Sequence, residues 1–249
     1  MYQTVKGLVL RVTAYNDTDS ILSLLTEEYG KITVKARGLR RKNSPLIAAC
    51  QLLAYGEFTL FAYRGFYTIN EANTVELFHG LRRDLQKLSL GTYFAQVAEL
   101  VCQEGIPDTQ FQSLILNCLY GLSKLDIPQV YAKAVFELRT ACIAGYTPDL
   151  SGCFYCGYTQ PNRFDISQGH LSCSSCRIEG QGGIHMPVLP GTLDAMRYIC
   201  SCDVKKIFAF ALGDCSLEQL SQISESYLLS QLERGFSALD FYKTLLFEN

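Results

Sequence analysis

The sequence predicts an α+β protein in which a small β-barrel precedes an all-helical domain that carries an inserted metal-binding loop. Three observations support this prediction. Apolar residues alternate with a period of two up to about residue 76, they recur with the period of a helix from about residue 81, and four cysteines form two Cys-x-x-Cys pairs between residues 153 and 176. We therefore predict one domain over residues 1–80 and a second over residues 81–249, with the insertion at 149–182.

The first domain consists of short β-branched and aromatic runs that are separated by turn residues. The predicted elements are strands near 5–14, 20–26, 30–37, 54–63 and 66–76 and a short helix near 44–53. Five strands with one helix between the third and the fourth are the element count of an OB-fold barrel. An SH3-like barrel would give a similar pattern, so both folds remain open at this point.

The third strand and the turn after it are strongly cationic. Ile32, Val34 and Ala36 alternate with polar residues, so they point to one face of the strand and leave the cations on the other. The six candidate phosphate ligands are Lys31, Lys35, Arg37, Arg40, Arg41 and Lys42, and the chain has no acidic residue between positions 31 and 44. Like charges this close repel one another unless a polyanion is bound, which indicates nucleic acid.

Aromatic residues near these cations could stack on bases, as they do in OB-fold proteins that bind single strands. The candidates on or beside the strands are Tyr15, Tyr29, Tyr63 and Tyr67. A solvated basic loop with tyrosines that only pack is the competing interpretation, because charge runs are common on protein surfaces.

The four cysteines of the insertion are Cys153, Cys156, Cys173 and Cys176, and sixteen residues separate the two pairs. This spacing is typical of a zinc site, in which an intervening hairpin brings two tight turns together. Gly157 and Gly169 stand where such a hairpin needs turns. Four thiolates fill the tetrahedral coordination of Zn²⁺ and leave no position for a substrate, so we predict one structural zinc ion.

Helical periodicity dominates the rest of the chain. Leu90, Phe94, Val97 and Val101 show the pattern in the first of three helices before the insertion. After the insertion we predict a helix near 191–201, a helix that begins with the capping box Ser216-x-x-Gln219, and a last helix around 239–246. Lys133 and Arg139 on the third helix are candidate contacts for an acidic peptide, although solvated surface cations are the simpler interpretation.

Composition places few further limits on function. The net charge is −2, yet residues 1–80 carry nine Lys or Arg against seven Asp or Glu. Eleven cysteines, an odd number, are more typical of a reducing cytoplasm than of a disulfide framework, and no apolar run is long enough to span a bilayer. The chain has no phosphate-binding glycine loop, and its three histidines do not form a catalytic pattern with serine or cysteine, so no enzymatic activity is predicted.

Several short motifs occur in a characteristic order along the whole chain. They are Gly7-x-Val9-Leu10, Thr26-x-x-x-Gly30-Lys31, Gly38-x-Arg40-Arg41-x-x-Ser44, Phe136-Glu137-Leu138-Arg139 and Gly145-x-x-Pro148-x-Leu150-x-x-Cys153-x-x-Cys156-Gly157. In this order and spacing the chain resembles the bacterial RecO family of recombination mediators. The resemblance implies an N-terminal OB-fold, a helical C-terminal domain and, in many members, a four-cysteine zinc site.

The resemblance also implies a non-enzymatic role in DNA repair at the cytoplasmic nucleoid. RecO-like proteins bind single- and double-stranded DNA, anneal complementary strands, contact the acidic tail of single-strand-binding protein, and act with RecR to load RecA. The six cations would then bind phosphates, and the zinc ion would stabilise the insertion. Two alternatives are an RNA-binding zinc and OB-fold protein associated with translation, and a zinc-assisted nuclease, which the four thiolate ligands argue against.

Overall fold

The computed structural model describes residues 1–176 and 183–247. The last residues of the predicted insertion, 177–182, therefore lie outside the described part of the chain. The chain divides into two compact units, Met1–Asp126 with Phe236–Asn249, and Ile127–Gly235. The first contains the barrel and the second contains the four-cysteine insertion.

Five strands of the first unit close into a barrel. They are β1 (Tyr2–Ala14), β2 (Ser20–Thr26), β3 (Gly30–Ala36), β4 (Tyr55–Tyr63) and β5 (Phe66–Glu76). Their order around the barrel is β1-β2-β3-β5-β4, with β3 and β5 parallel and the other pairs antiparallel. This is the strand order of an OB-fold, so the predicted α+β class and its OB-fold barrel are confirmed.

The barrel core follows the predicted alternation. Ile32, Val34 and Ala36 of β3 are buried, and they pack with Phe58 and Leu60 of β4 in one apolar cluster. Successive side chains of a strand point to opposite faces, so burial of these residues leaves Lys31, Thr33 and Lys35 on the outer face of the barrel.

The predicted short helix at 44–53 is wrong. The segment between β3 and β4 consists of consecutive turns, in which Cys50 N–H donates to Leu46 O at 3.0 Å. The chain cannot continue as a helix because its end pairs with β1: Leu53 N–H donates to Val9 O, and Val9 N–H donates to Ala54 O, both at 2.9 Å. Leu53 has a φ of 61°, outside the helical region, which ends the turn series.

Four helices complete the described part of the first unit. They are α1 (His79–Arg82), α2 (Leu85–Val101), α3 (Thr109–Tyr120), which continues as one π-helical turn over Gly121–Leu125, and α7 (Ser237–Phe247). Gln112 on α3 donates to Leu25 O of the barrel at 3.3 Å. These helices belong to the same compact unit as the barrel. The compact units are therefore not divided at residue 80, and the domain boundary at that position stays a prediction.

The described residues of the second unit form three α-helices and a small sheet. The helices are α4 (Gln129–Ile143), α5 (Pro190–Ser201) and α6 (Asp214–Leu232), and the strands are β6 (Asp149–Cys153), β7 (Arg163–Asp165), β8 (His170–Ser172) and β9 (His185–Pro187). The sheet order is β6-β8-β7-β9. None of the described helices of the chain is both long and apolar enough to cross a lipid bilayer.

The capping box predicted at Ser216 is wrong, because α6 begins at Asp214 and Gly213 occupies the N-cap position. Leu217 N–H already donates to Gly213 O at 2.9 Å, which places Ser216 inside the first turn. Gln219 accepts instead from Leu189 N–H at 2.7 Å, so its side chain ties the start of α5 to α6.

Candidate nucleic-acid interface and metal site

The cationic turn after β3 has a defined backbone. Gly38 has a φ of 66°, and Arg41 N–H donates to Gly38 O at 3.1 Å. The loop between β1 and β2 holds this turn, because Arg40 N–H donates to Thr18 O at 2.9 Å and Gly38 N–H donates to Asp19 Oδ1 at 2.9 Å. The turn therefore presents its side chains from a fixed position on the barrel.

Four of the six predicted phosphate ligands are exposed. They are Arg37, Arg40, Arg41 and Lys42. In the described part of the chain no carboxylate lies within ion-pair distance of any of them. Arg40 donates through Nη1 to Asn16 O at 2.7 Å, which orients its guanidinium and leaves its charge unbalanced.

The other two predicted ligands are engaged within the protein. Lys31 is partly buried and donates to Glu99 O at 2.6 Å. Lys35 pairs with Asp19 Oδ2 at 3.0 Å, and its ammonium lies 4.7 Å from the centre of the Tyr15 ring. The Gly38 N–H and the Lys35 ammonium hold the pKa of the Asp19 carboxyl far below its usual value, so Asp19 stays charged and offsets one cation of the group.

A groove of about 600 Å³ lies next to the cationic turn. Arg37 and Arg41 line one part of it, and Tyr2 and Phe61 line another. The Tyr2 and Phe61 side chains are 60% and 39% exposed, and their ring centres are 5.2 Å apart. Cations beside exposed rings are the arrangement that holds a single-stranded nucleic acid, in which phosphates contact the cations and bases stack on the rings.

Tyr2 and Phe61 are not among the aromatic residues that the sequence predicts for this surface. Of the four predicted aromatic residues, Tyr15 and Tyr63 are well exposed, Tyr29 is at the edge of exposure, and Tyr67 packs partly against the barrel core. The signal for Phe61 was available, because it stands two residues before Tyr63 and so shares the outer face of β4. Tyr2 joins the groove only through the pairing of β1 with β4, where it faces Phe61.

The four cysteines of the insertion converge as predicted. Their sulfur atoms all lie within 4.8 Å of one another, and the sulfurs of Cys156 and Cys173 are 3.9 Å apart. A Zn–S bond of about 2.3 Å in a tetrahedron implies sulfur separations of about 3.8 Å, whereas a disulfide needs about 2.05 Å. The cluster is therefore positioned to hold one metal ion, and its soft donor set suits zinc.

The cysteines of this cluster differ in how readily their thiols ionise, because their hydrogen bonds and neighbouring charges differ. Burial opposes ionisation of Cys153, but the N–H groups of Cys156 and Cys173 outweigh it and lower the pKa of this thiol to about 6. Cys173 N–H lies 3.3 Å from Cys153 Sγ. Partial burial and the sulfurs of Cys153 and Cys156 raise the pKa of Cys173 to about 12. Four thiolates together need a cation to offset their mutual repulsion, which a bound divalent metal supplies.

Side chains from α5 and α6 hold the insertion within the second unit. Arg197 on α5 donates to Leu150 O at 2.9 Å and to Thr159 O at 2.7 Å. Gln231 on α6 donates to Ile166 O at 3.2 Å, and the Tyr227 ring packs edge-on against Phe164 at 5.3 Å. These contacts fix β6 and the β7–β8 hairpin, so the four-cysteine cluster forms part of a packed unit.

The two predicted partner contacts on α4 face inward. Lys133 is 5% exposed and pairs with Glu137 at 3.0 Å and Glu225 at 2.8 Å. Arg139 donates to Ile199 O at 3.0 Å and Cys200 O at 2.6 Å, at the C-terminal end of α5. Both cations are engaged within the second unit, which argues against their predicted role in binding an acidic peptide.

These features define a class of protein: an OB-fold protein with a cationic, aromatic groove and a helical unit that carries four cysteines positioned to hold a metal ion. Comparison with known families agrees with this class of protein and identifies one family within it. The family model for the N-terminal part of recombination protein O matches residues 1–78, and the model for its C-terminal part matches residues 82–240. The chain belongs to the RecO family, and this membership indicates a role in DNA repair.

Individual relatives match the chain over almost its full length. The DNA repair protein RecO of Acetivibrio thermocellus is 32% identical over 98% of this chain and 97% of its own length. The proteins of the same name from Alkaliphilus metalliredigens and Symbiobacterium thermophilum are 32% and 30% identical over at least 96% of both chains. The similarity therefore includes the barrel and the helical unit.

Proposed function

We propose that this protein is a recombination mediator that binds single- and double-stranded DNA through its barrel and anneals complementary strands. The observation that carries this proposal is the groove in which Arg37 and Arg41 lie beside the exposed Tyr2 and Phe61 rings, in a chain of a DNA repair family. Phosphate contacts of this kind do not depend on sequence, which is what annealing of arbitrary strands requires.

Annealing requires that two polyanions approach each other. Arg37, Arg40, Arg41 and Lys42 project from one ordered turn and the strand end before it, so they can offset phosphate charge on more than one strand at a time. Bases that stack on aromatic rings keep their pairing edges available. The groove can therefore hold a strand in a form that is competent to pair.

We further propose that the four cysteines bind one Zn²⁺ ion in a structural role, through Cys153, Cys156, Cys173 and Cys176. The ion would fix the insertion and take no part in catalysis, because four thiolates close its coordination sphere. The protein would then act without enzymatic activity. With RecR it would help to load RecA onto DNA coated with single-strand-binding protein, at the cytoplasmic nucleoid, and contact the acidic tail of that protein.

The DNA-binding proposal is tested by replacing Arg37, Arg41 and Lys42 with alanine together. Loss of three phosphate contacts should weaken binding of a single-stranded oligonucleotide about a hundredfold at about 0.1 M salt, for any sequence. The measurement is fluorescence anisotropy with oligonucleotides of unrelated sequence, followed by the rate at which complementary strands anneal. Unlabelled RNA of the same sequence should compete less well than DNA.

A matched variant controls for loss of net charge. The second unit has three exposed cations, Lys205, Lys206 and Arg234. Their replacement by alanine also removes three positive charges. The DNA affinity of this variant should lie within about threefold of that of the parent protein. Salt screens the attraction between DNA and surface cations that lie outside the interface. Equal losses in both variants would refute the assignment of the groove, and tighter binding of RNA would favour a role in translation.

A further inference from the structure

A second cavity, of about 580 Å³, lies beside the first Cys-x-x-Cys pair. Its lining includes Asp149 on β6, Phe154 and Tyr155 between the first two cysteines, Asp165 on β7, and His170 on β8. Among the described residues that line it, none is a lysine or an arginine. The cavity therefore differs in charge from the cationic groove of the barrel.

Strand pairing places the polar groups of this cavity in one row. His170 is paired with Asp149 on one neighbouring strand and with Asp165 on the other. Hydrogen bonds from the Ser151 hydroxyl and N–H hold the pKa of the Asp149 carboxyl below its usual value, so Asp149 is charged at neutral pH. The His170 Nε2 atom is buried and has no hydrogen-bond partner in the described part of the chain.

Asp165 is buried, and its orientation is set by the backbone. Its Oδ1 atom accepts from Ser167 N–H at 2.8 Å and from Gln168 N–H at 3.0 Å. Its Oδ2 atom faces His185 Nδ1 at 3.8 Å, which is longer than a hydrogen bond. The carboxylate is thus fixed at the wall of the cavity and retains acceptor capacity.

Aromatic rings form the remaining wall. Phe154 is 64% exposed, and its ring centre lies 4.6 Å from that of His170 at an interplanar angle of 32°. Tyr155 meets Phe154 edge-on at 5.4 Å. An exposed phenylalanine next to carboxylates presents a π-face to a site of negative charge, and that combination attracts a planar cation.

We propose that this cavity binds the side chain of an arginine from a partner protein. A guanidinium group can donate to the carboxylates of Asp149 and Asp165 while its plane stacks on Phe154. The carboxylates repel phosphate, so nucleic acid is excluded from this cavity. Because Phe154 and Tyr155 lie between Cys153 and Cys156, the metal cluster positions this wall of the cavity.

The test uses the full-length protein loaded with zinc and the probe N-acetyl-arginine methylamide, with the citrulline compound as a neutral analogue of the same shape. In a titration followed by NMR, the ring signals of Phe154, Tyr155 and His170 should shift to saturation with the arginine probe. The D149N and D165N variants should each bind it about fivefold more weakly. E218Q, which removes an exposed acid of α6, should bind it as the parent protein does.

Zinc content and melting temperature of each variant establish that the unit is folded. The amide oxygen that D165N introduces can still accept the two backbone hydrogen bonds, so this variant should retain both properties. DNA affinity should be unchanged in D149N and D165N, which separates this proposal from the function of the barrel. Equal binding of the citrulline compound, unaltered arginine affinity in both variants, or displacement of the probe by an oligonucleotide would overturn the proposal.

Discussion

The ammonium group of Lys133 lies between the carboxylates of Glu137 and Glu225 in the second unit. Burial opposes the charged form of this lysine, but the two carboxylates outweigh it and raise the pKa of the ammonium group above its usual value. Glu137 is completely buried. A buried carboxylate is costly without a neighbouring cation, so Lys133 is needed for the stability of this unit.

We expect Lys133→Met to lower the free energy of unfolding by about 3 kcal/mol or more, because it removes the cation that offsets Glu137. Chemical denaturation at neutral pH measures the loss. Lys205→Ala, at an exposed lysine of the same unit, should change stability by less than about 0.5 kcal/mol. A similar small effect of both substitutions would show that the buried pair does not stabilise the fold.

The stability contributed by the ion pairs of Lys133 depends on pH. The folded-state pKa of Lys133 is raised above its value in the unfolded chain, which is about 10.4. The stability that this charged group contributes is therefore fully present below the unfolded-state pKa, and it is lost as the pH rises through the folded-state pKa.

The insertion between α4 and α5 illustrates how an element without a large core is stabilised. Its strands β7, β8 and β9 have three residues each, too few for an independent sheet. Gly169, with a φ of 68°, makes the β7–β8 turn, and a Cβ atom at this position would lie 2.5 Å from the Tyr227 hydroxyl. Contacts with α5 and α6 compensate for the small apolar core, and the proposed zinc ion would add to them.

We expect Cys176→Ser to lose zinc and to lower the melting temperature by roughly 5 °C or more, because metal binding contributes folding free energy. Metal analysis of the purified protein and thermal unfolding with and without a chelator provide the measurements. Cys215→Ser serves as the control, since Cys215 is exposed on α6 and is not part of the cluster. Full zinc content in Cys176→Ser, or equal zinc loss in both variants, would contradict the assignment.

The whole molecule is slightly acidic, with a net charge of −2 and a pI of about 5.9. General attraction to a polyanion therefore cannot account for the proposed DNA binding. In the proposed function the unpaired cations Arg37, Arg40, Arg41 and Lys42 supply this attraction locally. Binding that depends on a few phosphate contacts releases a correspondingly small number of counterions, and this number is measurable.

Four contacts to single-stranded DNA predict that affinity falls about fiftyfold between about 50 mM and about 200 mM salt. With Arg37, Arg41 and Lys42 replaced by alanine, one contact remains and the same change in salt should lower affinity only about threefold. Anisotropy titrations across this range give both slopes. An identical salt dependence for the parent protein and the variant would place the phosphate contacts elsewhere on the molecule.

Local patterns in the sequence determined the strands, most helices and the metal cluster. Alternation of apolar residues predicts β3 with its buried and exposed faces, and the spacing of two Cys-x-x-Cys pairs predicts four converging sulfurs. These features depend on neighbours in the chain, so they can be read without the fold. The family resemblance was also available from the order of short motifs.

Tertiary structure alone decided which charges and rings act together. Asp19 offsets Lys35 although sixteen positions separate them, and Tyr2 joins Phe61 only because β1 pairs with β4. Lys133 and Arg139 have the sequence pattern of surface cations, yet partners from α5 and α6 bury or engage them. Electrostatic and stacking interactions depend on distance in space, and strand order and helix packing set that distance.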